Sequence, residues 1–166
     1  MNTKPITIRT FETSDADSVN KLIRGIQKKE FGFTLEDFPQ PELLDIKNFY
    51  ISSGGNFWVA YMDDLLVGTS ALLDLGNGVA KLGRMFVHPD YRGKPWRIAQ
   101  RLFDISMNWA KAKNLFNICL ETTPEPCAAH NFYIKNGFIE VNSSDFPPEY
   151  HLCPYPSRYF IKELVK

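Results

Sequence analysis

The sequence has no excess of charge of either sign, no long apolar run and few cysteines. Nineteen lysine and arginine residues balance nineteen aspartate and glutamate residues in a chain of 166 residues. A balanced chain generates no global field that would gather nucleic acid or a membrane surface, so we expect neither as a partner. No segment approaches the roughly 18 consecutive apolar residues of a membrane-spanning helix, and the amino terminus lacks the apolar core of a signal peptide. We therefore expect a cytoplasmic protein.

The cysteines and the absent catalytic motifs exclude further classes. Cys119, Cys127 and Cys153 are an odd number without C-x-x-C spacing, a pattern typical of neither a disulfide framework nor a zinc site. We expect reduced thiols and no bound metal. The sequence also contains no G-x-x-x-x-G-K-[ST] P-loop and no G-x-S-x-G nucleophile elbow. Any phosphate site must therefore be of another kind.

The composition that remains is that of an ordinary globular protein. Hydrophobic residues make up 44% of the chain, aromatic residues 14% and charged residues 23%, which excludes a disordered or fibrous chain. The length is close to the ~150 residues of an average domain. We expect a single domain over residues 1–166.

The hydrophobic periodicity predicts the element order β-α-α-β-β-β-α-β-α-β-β. The first strand begins at Ile6. A second helix is predicted over residues 41–52, because Pro41 suits the first turn of a helix and Gly54-Gly55 is a helix stop. Three consecutive strands between residues 56 and 87 are joined by turns rich in Gly, Asn and Asp, as in an antiparallel meander. A long helix follows from about residue 96 to residue 113. This order predicts an α+β fold with a mixed sheet and helices on its faces.

The segment Gly83–Asp104 joins a strand, a basic loop and the start of the long helix. Arg92, Lys94, Arg97 and Arg101 cluster at the helix start. Free backbone N–H groups and the positive end of the helix dipole favour anions there, so the junction predicts a phosphate site. The alternative is a solvated basic helix start without a ligand.

Two strings of this chain resemble the GNAT superfamily of acyl-CoA-dependent N-acyltransferases. The string VHPDYRGK (residues 87–94) resembles the fourth strand and pyrophosphate loop of that superfamily. The string AAHNFYIKNGF (residues 128–138) is similar to its later A-x-x-F-Y-x-x-x-G-F segment. The resemblance implies a GNAT-like domain with a mostly antiparallel mixed sheet of about seven strands and helices on both faces. It also implies acetyl-CoA as co-substrate.

The chain departs from the family pattern R/Q-x-x-G-x-G/A in the loop itself. Arg92 fills the first position, but Pro95 and Arg97 stand where the two glycines belong. Pro95 has no N–H for a phosphate, whereas the Arg97 guanidinium suits one. The loop binds the pyrophosphate with the remaining amides and Arg97, or binds it weakly, or has lost the cofactor; we favour the first. The expected cofactor-binding residues are Met85, Phe86, Val87, Arg92, Gly93, Lys94, Trp96, Arg97 and Ile98.

The resemblance assigns two roles in acetyl transfer. The Val87 N–H is the expected donor to the oxyanion that forms when an amine attacks the thioester. Tyr133 matches the family tyrosine that protonates the leaving thiolate, and a phenol is a reasonable acid for that purpose. The alternative for Tyr133 is aromatic packing of its helix on the sheet. Pro126 stands where many members carry an asparagine, so we expect no contact to the cofactor arm from that position.

The general base is left open by the sequence. Glu121, on a predicted strand, is a candidate base that acts directly or through a water, or else an ordinary strand-end carboxylate. Lys81 aligns where some family members place a glutamate and is a poor analogue. A water chain, or an amine that arrives neutral, would need no residue.

The acceptor site is expected between Phe31 and Tyr50, with the proline-rich stretch at residues 143–156. An acidic rim there would attract a cationic amine, or is simply a solvated face. Aromatic side chains in the same segment line an apolar pocket or belong to the core. The acidic residues are Glu30, Glu36, Asp37, Glu42 and Asp45; the aromatic ones are Phe31, Phe33, Phe38, Phe49 and Tyr50.

The expected activity is acetyl transfer from acetyl-CoA to a primary amine by direct attack in a ternary complex. The acceptor is a small-molecule or peptide amine that the sequence does not identify. The alternative is a non-catalytic binding or sensor module with a degenerate CoA loop. A third reading keeps the enzyme with a longer acyl-CoA, which would need more room near Met85 and Phe86. The resemblance also leaves a homodimer open.

Overall fold

The computed structural model describes residues 4–34, 36–37 and 39–165. The helices are α1 (Ala16–Phe31), α2 (Ile98–Ala112) and α3 (Ala128–Lys135). The strands are β1 (Ile6–Thr10), β2 (Asn56–Met62), β3 (Leu65–Gly76), β4 (Val79–Val87), β5 (Asn117–Thr122), β6 (Ile139–Val141) and β7 (Arg158–Glu163). No helix in these ranges is both long enough and apolar enough to cross a bilayer.

The seven strands form one mixed sheet in the order β1-β2-β3-β4-β5-β7-β6. The pairings of β1 with β2, β2 with β3, β5 with β7 and β6 with β7 are antiparallel. The pairing of β4 with β5 is parallel and matches Val79–Lys81 with Asn117–Cys119. The predicted α+β fold with a seven-stranded, mostly antiparallel mixed sheet is confirmed.

The contacts group the described residues into two compact units. The first contains the chain up to Leu73 together with Gly83–Met107. The second contains Asp74–Leu82 and the residues from Asn108 onward.

The core of the first unit is built by α1 and the strands beneath it. Apolar residues at helical spacing place one face of α1 inward, where Val19, Ile23 and Ile26 are buried. The helix ends at Gly32, whose φ of +67° allows its N–H to bond the carbonyls of the last turn. The buried partners include Phe11, Leu43, Ile46, Tyr50, Phe57, Val59 and Leu66.

The helix predicted over residues 41–52 is wrong. Two separate turns occupy the segment, a 3₁₀ turn at Pro41–Leu44 and a π-helical turn at Lys47–Ile51. Asp45 lies between them with φ −145° and ψ 60°, outside the helical region. Its carboxylate accepts a bond from the Asn48 side chain at 2.9 Å. Short polar side chains compete in this way with backbone helix bonds, so the first turn stops where the second begins.

The second unit packs around the beginning of β4 and the strands β5 and β7. Val79, Cys119 and Tyr150 are buried together, with Phe146 and Ile161 against them. The three cysteines are free thiols; Cys119 is buried, whereas Cys127 and Cys153 are half-buried. The proline-rich stretch is therefore tied to this unit through its aromatic residues Phe146 and Tyr150.

Candidate functional site

The basic junction between β4 and α2 forms as predicted, but the helix begins two residues later than expected. Arg97 has φ +52°, a left-handed conformation, so the helix begins at Ile98 and not at Trp96. The Arg97 N–H donates to the Gly93 carbonyl at 2.8 Å and is therefore used within the loop. A glycine adopts this φ without strain. The loop thus retains a glycine backbone conformation at the position where the family pattern has glycine and this chain has arginine.

The side chains of this loop and of the first residue of α2 differ in exposure and in whether they form ion pairs. Lys94 and Arg97 are exposed, and across the described part of the chain neither takes part in an ion pair. Trp96 is half-buried with its ring edge-on to Tyr91 at 5.6 Å. Ile98 is buried and fixes the helix start. Lys94 and Arg97 are therefore the cations of this loop most available to an anion.

Arg92 is already engaged. Its Nε donates to the Val87 carbonyl at 3.0 Å, and its two Nη atoms donate to the Glu30 carboxylate at 2.6 and 2.7 Å. The Arg92 hydrogen bond holds the pKa of Glu30 below its usual value, and Glu30 raises the pKa of Arg92. We call this bidentate pair the Arg92–Glu30 clasp. An anion that used Arg92 would have to share it with Glu30.

The close packing of α2 on β3 positions this junction. Gly68 of β3 lies under the helix: a Cβ there would come within 2.7 Å of the Ile98 side chain and 2.9 Å of the Leu102 side chain. Further along, the Ser70 and Ser106 hydroxyls share a buried hydrogen bond of 2.9 Å. Small residues on the strand thus let the helix approach closely and fix its first turn.

Met85, Phe86 and Val87 form the half-buried end of β4. Phe86 packs against the core of the first unit. The next residue, His88, donates its N–H to the Val67 carbonyl at 2.9 Å, which continues the attachment of this end to β3. These three residues are therefore held on a fixed strand directly before the basic loop.

The sequence analysis missed Arg84, the residue before Met85. Its φ is +53°, and its carbonyl accepts a bond from the Thr69 hydroxyl at 2.7 Å. Its guanidinium contacts the Tyr50 hydroxyl, the Gln40 side-chain oxygen and the Glu42 carboxylate. Burial, with the nearby Arg24 adding to it, lowers the pKa of Arg84 to about 10. An arginine inside an otherwise largely apolar strand was the signal that could have revealed it.

In the second unit, the Glu121 carboxylate is surrounded by donors. It accepts bonds from the Cys153 N–H at 3.2 Å and the Tyr150 hydroxyl at 3.3 Å, and Lys81 Nζ lies 3.5 Å away. Its side chain is only 8% exposed. Burial and the Glu121 charge raise the pKa of Tyr150, so its hydroxyl remains a donor. Glu121 thus attaches the proline-rich stretch to β5.

Tyr133 lies in α3, half-buried among aromatic rings. Its ring meets Phe138 at 5.7 Å and Phe160 at 6.1 Å. Burial of the hydroxyl, with the Cys127 thiol contributing, raises the pKa of Tyr133 to about 12. The phenol is therefore protonated throughout the physiological pH range, and its ring also has the packing role that was the alternative.

The predicted acceptor segment is only partly free. Glu30 is held by Arg92 and Glu42 by Arg84, so two of the five acidic residues are neutralised. Tyr50 is buried in the core, whereas Phe31, Phe33 and Phe49 are exposed, with Phe31 stacked on Phe33 at 5.7 Å. Phe38 lies outside the described residues.

Sequence comparison identifies the family. Residues 53–140 match the acetyltransferase (GNAT) domain, and the chain belongs to the GNAT acetyltransferase family. The resemblance inferred from the loop and the F-Y segment is thereby confirmed. A probable N-acetyltransferase camello of Xenopus tropicalis is 30% identical over 125 residues, 74% of this chain and 56% of that protein. The chain spans about half the length of the curated relatives it matches.

Solved structures agree in fold. An acetyltransferase of the GNAT family from Staphylococcus aureus Mu50 has a TM-score of 0.88 and 31% identity, with 97% of this chain and 100% of that chain covered. PaiA N-acetyltransferase from Thermoplasma acidophilum, solved in complex with coenzyme A, has a TM-score of 0.77 and 20% identity, with 96% and 99% covered. The second likeness concerns the fold alone.

Proposed function

We propose that this protein is an N-acetyltransferase that moves an acetyl group from acetyl-CoA to a primary amine. The observation that carries the proposal is the junction Val87–Ile98, where exposed Lys94 and Arg97 stand at the start of α2. The charge of a pyrophosphate suits these cations and the positive end of the helix dipole. The left-handed backbone of Arg97 supports the reading that the altered loop still follows the path that glycine would allow.

The chemistry is a direct transfer in a ternary complex. The neutral amine nitrogen attacks the thioester carbonyl carbon, and the new oxyanion receives a bond from the Val87 N–H. The carbon–sulfur bond then breaks, the amide forms and the thiolate leaves. Tyr133 donates a hydrogen bond to the thiolate; with a pKa of about 12 it is a weaker acid than a free phenol, so stabilisation by that bond outweighs complete proton transfer.

The amine proton has two routes in this proposal. Glu121 accepts it directly or through a water, or a water chain carries it without a residue. The Glu121 carboxylate already accepts bonds from Cys153 and Tyr150, which favours the route without it. The acceptor is proposed as a small-molecule or peptide amine bound beside the exposed aromatic residues of the segment 31–50.

Thermal unfolding with and without acetyl-CoA tests the cofactor proposal. A ligand at a hundredfold excess over Kd adds ~2.7 kcal/mol, which raises Tm by roughly 5–10 °C at this size. Desulfo-CoA should give a similar rise, and 3′-phosphoadenosine 5′-phosphate a smaller one. Arg97→Gly, which suits the local φ, should fold and lose much of the rise, whereas Lys111→Ala in the last turn of α2 should keep it. No rise at millimolar acetyl-CoA would contradict the proposal.

A non-catalytic binding module is the second candidate, favoured by the Arg92–Glu30 clasp and by the use of the Arg97 N–H within the loop. A wild type that binds acetyl-CoA but acetylates no primary amine would support it. We also propose that the protein acts in the cytoplasm and is able to form a homodimer, which fractionation and light scattering test separately.

A further inference from the structure

Arg84 connects strand β4 to the segment that precedes β2. Its guanidinium contacts Gln40, which immediately precedes the first turn, Glu42 in that turn and Tyr50 in the second turn. Gln40 in turn exchanges two amide hydrogen bonds with Gln27 of α1, at 2.9 and 2.7 Å. We call the two turns, Pro41–Leu44 and Lys47–Ile51, the wall. One side chain of β4 thus holds both turns of the wall.

The contacts of Arg84 are made in a buried setting. Its side chain is 14% exposed and that of Glu42 17%, while Gln27, Gln40 and Tyr50 are buried. A guanidinium in such a place needs a carboxylate and oriented acceptors to offset its desolvation, and it has them. Its positive φ persists because the surrounding contacts, including the Thr69 bond to its carbonyl, determine the conformation.

The position of Arg84 gives these contacts a consequence for the reaction. Arg84 immediately precedes Met85–Val87, the strand end proposed to meet the acyl group, and its side chain reaches the wall proposed to border the acceptor. Groups that align two substrates must be held by a supporting set of contacts, because small displacements cause large losses of rate.

We propose that Arg84 is a positioning residue that fixes the wall against β4 and so determines acceptor binding. The proposal rests on the proposed acetyltransferase function, since it concerns the acceptor side of that reaction. Loss of the guanidinium frees the wall, leaves Glu42 without its cation and weakens binding of the acceptor. The phosphate loop lies beyond Val87 and keeps its own contacts, so acetyl-CoA binding is unaffected.

The experiment compares Arg84→Met with Arg9→Met. Arg9 is a matched control because it too joins a strand of the first unit to a largely buried carboxylate, Asp15, by two bonds of 2.8 and 2.9 Å. Tyramine serves as probe acceptor, because its aromatic ring and primary amine suit the exposed phenylalanines. For Arg84→Met we expect the KM for tyramine to rise roughly tenfold or more, with the Kd of acetyl-CoA within about twofold of wild type. Glu42→Gln should give a smaller rise.

Hydrogen exchange supplies a readout that needs no acceptor. Amides of the wall should exchange faster in Arg84→Met than in wild type and stay at wild-type rates in Arg9→Met, even where both variants lower Tm equally. Unchanged exchange in Arg84→Met, an unchanged tyramine KM, or an equal KM rise in Arg9→Met would each overturn the inference. A wild type that acetylates neither tyramine nor any other primary amine would count against the proposed function, while the exchange comparison still decides whether Arg84 holds the wall.

Discussion

At the scale of single residues, Tyr133 has an observed packing role and a proposed role in acetyl transfer. Its ring contributes to an aromatic cluster, and its hydroxyl has a pKa raised to about 12 by burial. Tyr133→Phe keeps the ring and removes the donor. We expect kcat to fall roughly 10- to 100-fold with the Kd of acetyl-CoA unchanged. Steady-state kinetics and calorimetry measure the two quantities.

The pH dependence of kcat tests the raised pKa of Tyr133. A phenol with a pKa of about 12 stays protonated at pH 10, so Tyr133 should cause no alkaline loss of kcat below that pH. Tyr159→Phe, in a half-buried tyrosine of the same unit, is the control and should leave kcat unchanged. A Tyr133→Phe variant with wild-type kcat would assign the residue to packing alone.

Asp15 is a buried carboxylate whose ionisation should support the fold. Burial by itself would raise its pKa, but bonds from Arg9, the Glu12 N–H and Tyr61 outweigh burial and lower it. A carboxylate with a lowered folded pKa stabilises the protein above its unfolded pKa of about 4, and that contribution disappears as the pH falls through the folded value. Asp15→Asn should therefore cost roughly 2–4 kcal/mol at pH 7.

Urea unfolding between pH 3 and 7 measures this contribution. The difference between wild type and Asp15→Asn should narrow as the pH falls below about 4, because the wild-type carboxylate is then protonated as well. Asp63→Asn, which removes the exposed pair with Lys4, should leave the free energy of unfolding close to that of the wild type at any pH. A difference between Asp15→Asn and wild type that is independent of pH would refute the electrostatic explanation.

At the scale of elements, the Arg92–Glu30 clasp joins the end of α1 to the phosphate loop. The carboxylate competes with an anion for the same guanidinium and repels it as well. Glu30→Gln should therefore tighten acetyl-CoA binding, by about two- to tenfold in Kd at low salt. Glu36→Gln removes an exposed carboxylate six residues further along that has no arginine partner within the described part of the chain, and it controls for net charge. Titration calorimetry decides: weaker binding in Glu30→Gln would mean that Glu30 orients Arg92 for the ligand.

Elements were predictable from the sequence where local patterns decide them. Strands β2 and β4 follow the sequence prediction closely, because each is a largely apolar run that is bounded by a tight turn of Gly, Asn or Asp. The segment 41–52 was not predictable, because the Asp45 carboxylate bonds the Asn48 side chain of a new turn and Tyr50 is drawn into the core. Its conformation depends on contacts distant in sequence, which periodicity does not report.

The candidate site shows the same limit. The cations of the basic loop between β4 and α2, Lys94 and Arg97, were visible in the sequence, as was Tyr133. The ion pair between Arg92 and Glu30 was not visible in the sequence, because 62 residues separate the two. The contact between Arg84 and Gln40 was not visible either, because 44 residues separate them. Charged residues at such separations pair only once the sheet and α1 are assembled, so composition alone overstates how many charges are free.

For the whole molecule, balanced charge limits how fast an anionic ligand is captured. With 19 basic and 19 acidic residues there is no net field to accelerate encounter. Acetyl-CoA should associate at an ordinary ~10⁵–10⁷ M⁻¹s⁻¹, with a modest dependence on salt that arises from the loop cations. Stopped-flow measurement at two salt concentrations tests this; association near 10⁹ M⁻¹s⁻¹ that collapses in salt would reveal a focused field.

The close packing of α2 on β3 limits how this protein can be redesigned. A methyl group at Gly68 would collide with Ile98 and Leu102, and a substitution of Ser70 or Ser106 would remove the buried hydrogen bond between them. A library that aims at altered binding of the proposed pyrophosphate should therefore leave the helix axis alone and vary the exposed loop positions Lys94 and Arg97. Substitutions beneath α2 would mostly yield unfolded variants. Substitutions in the loop would preserve the packing of α2 on β3 and change the affinity of the loop for its proposed ligand.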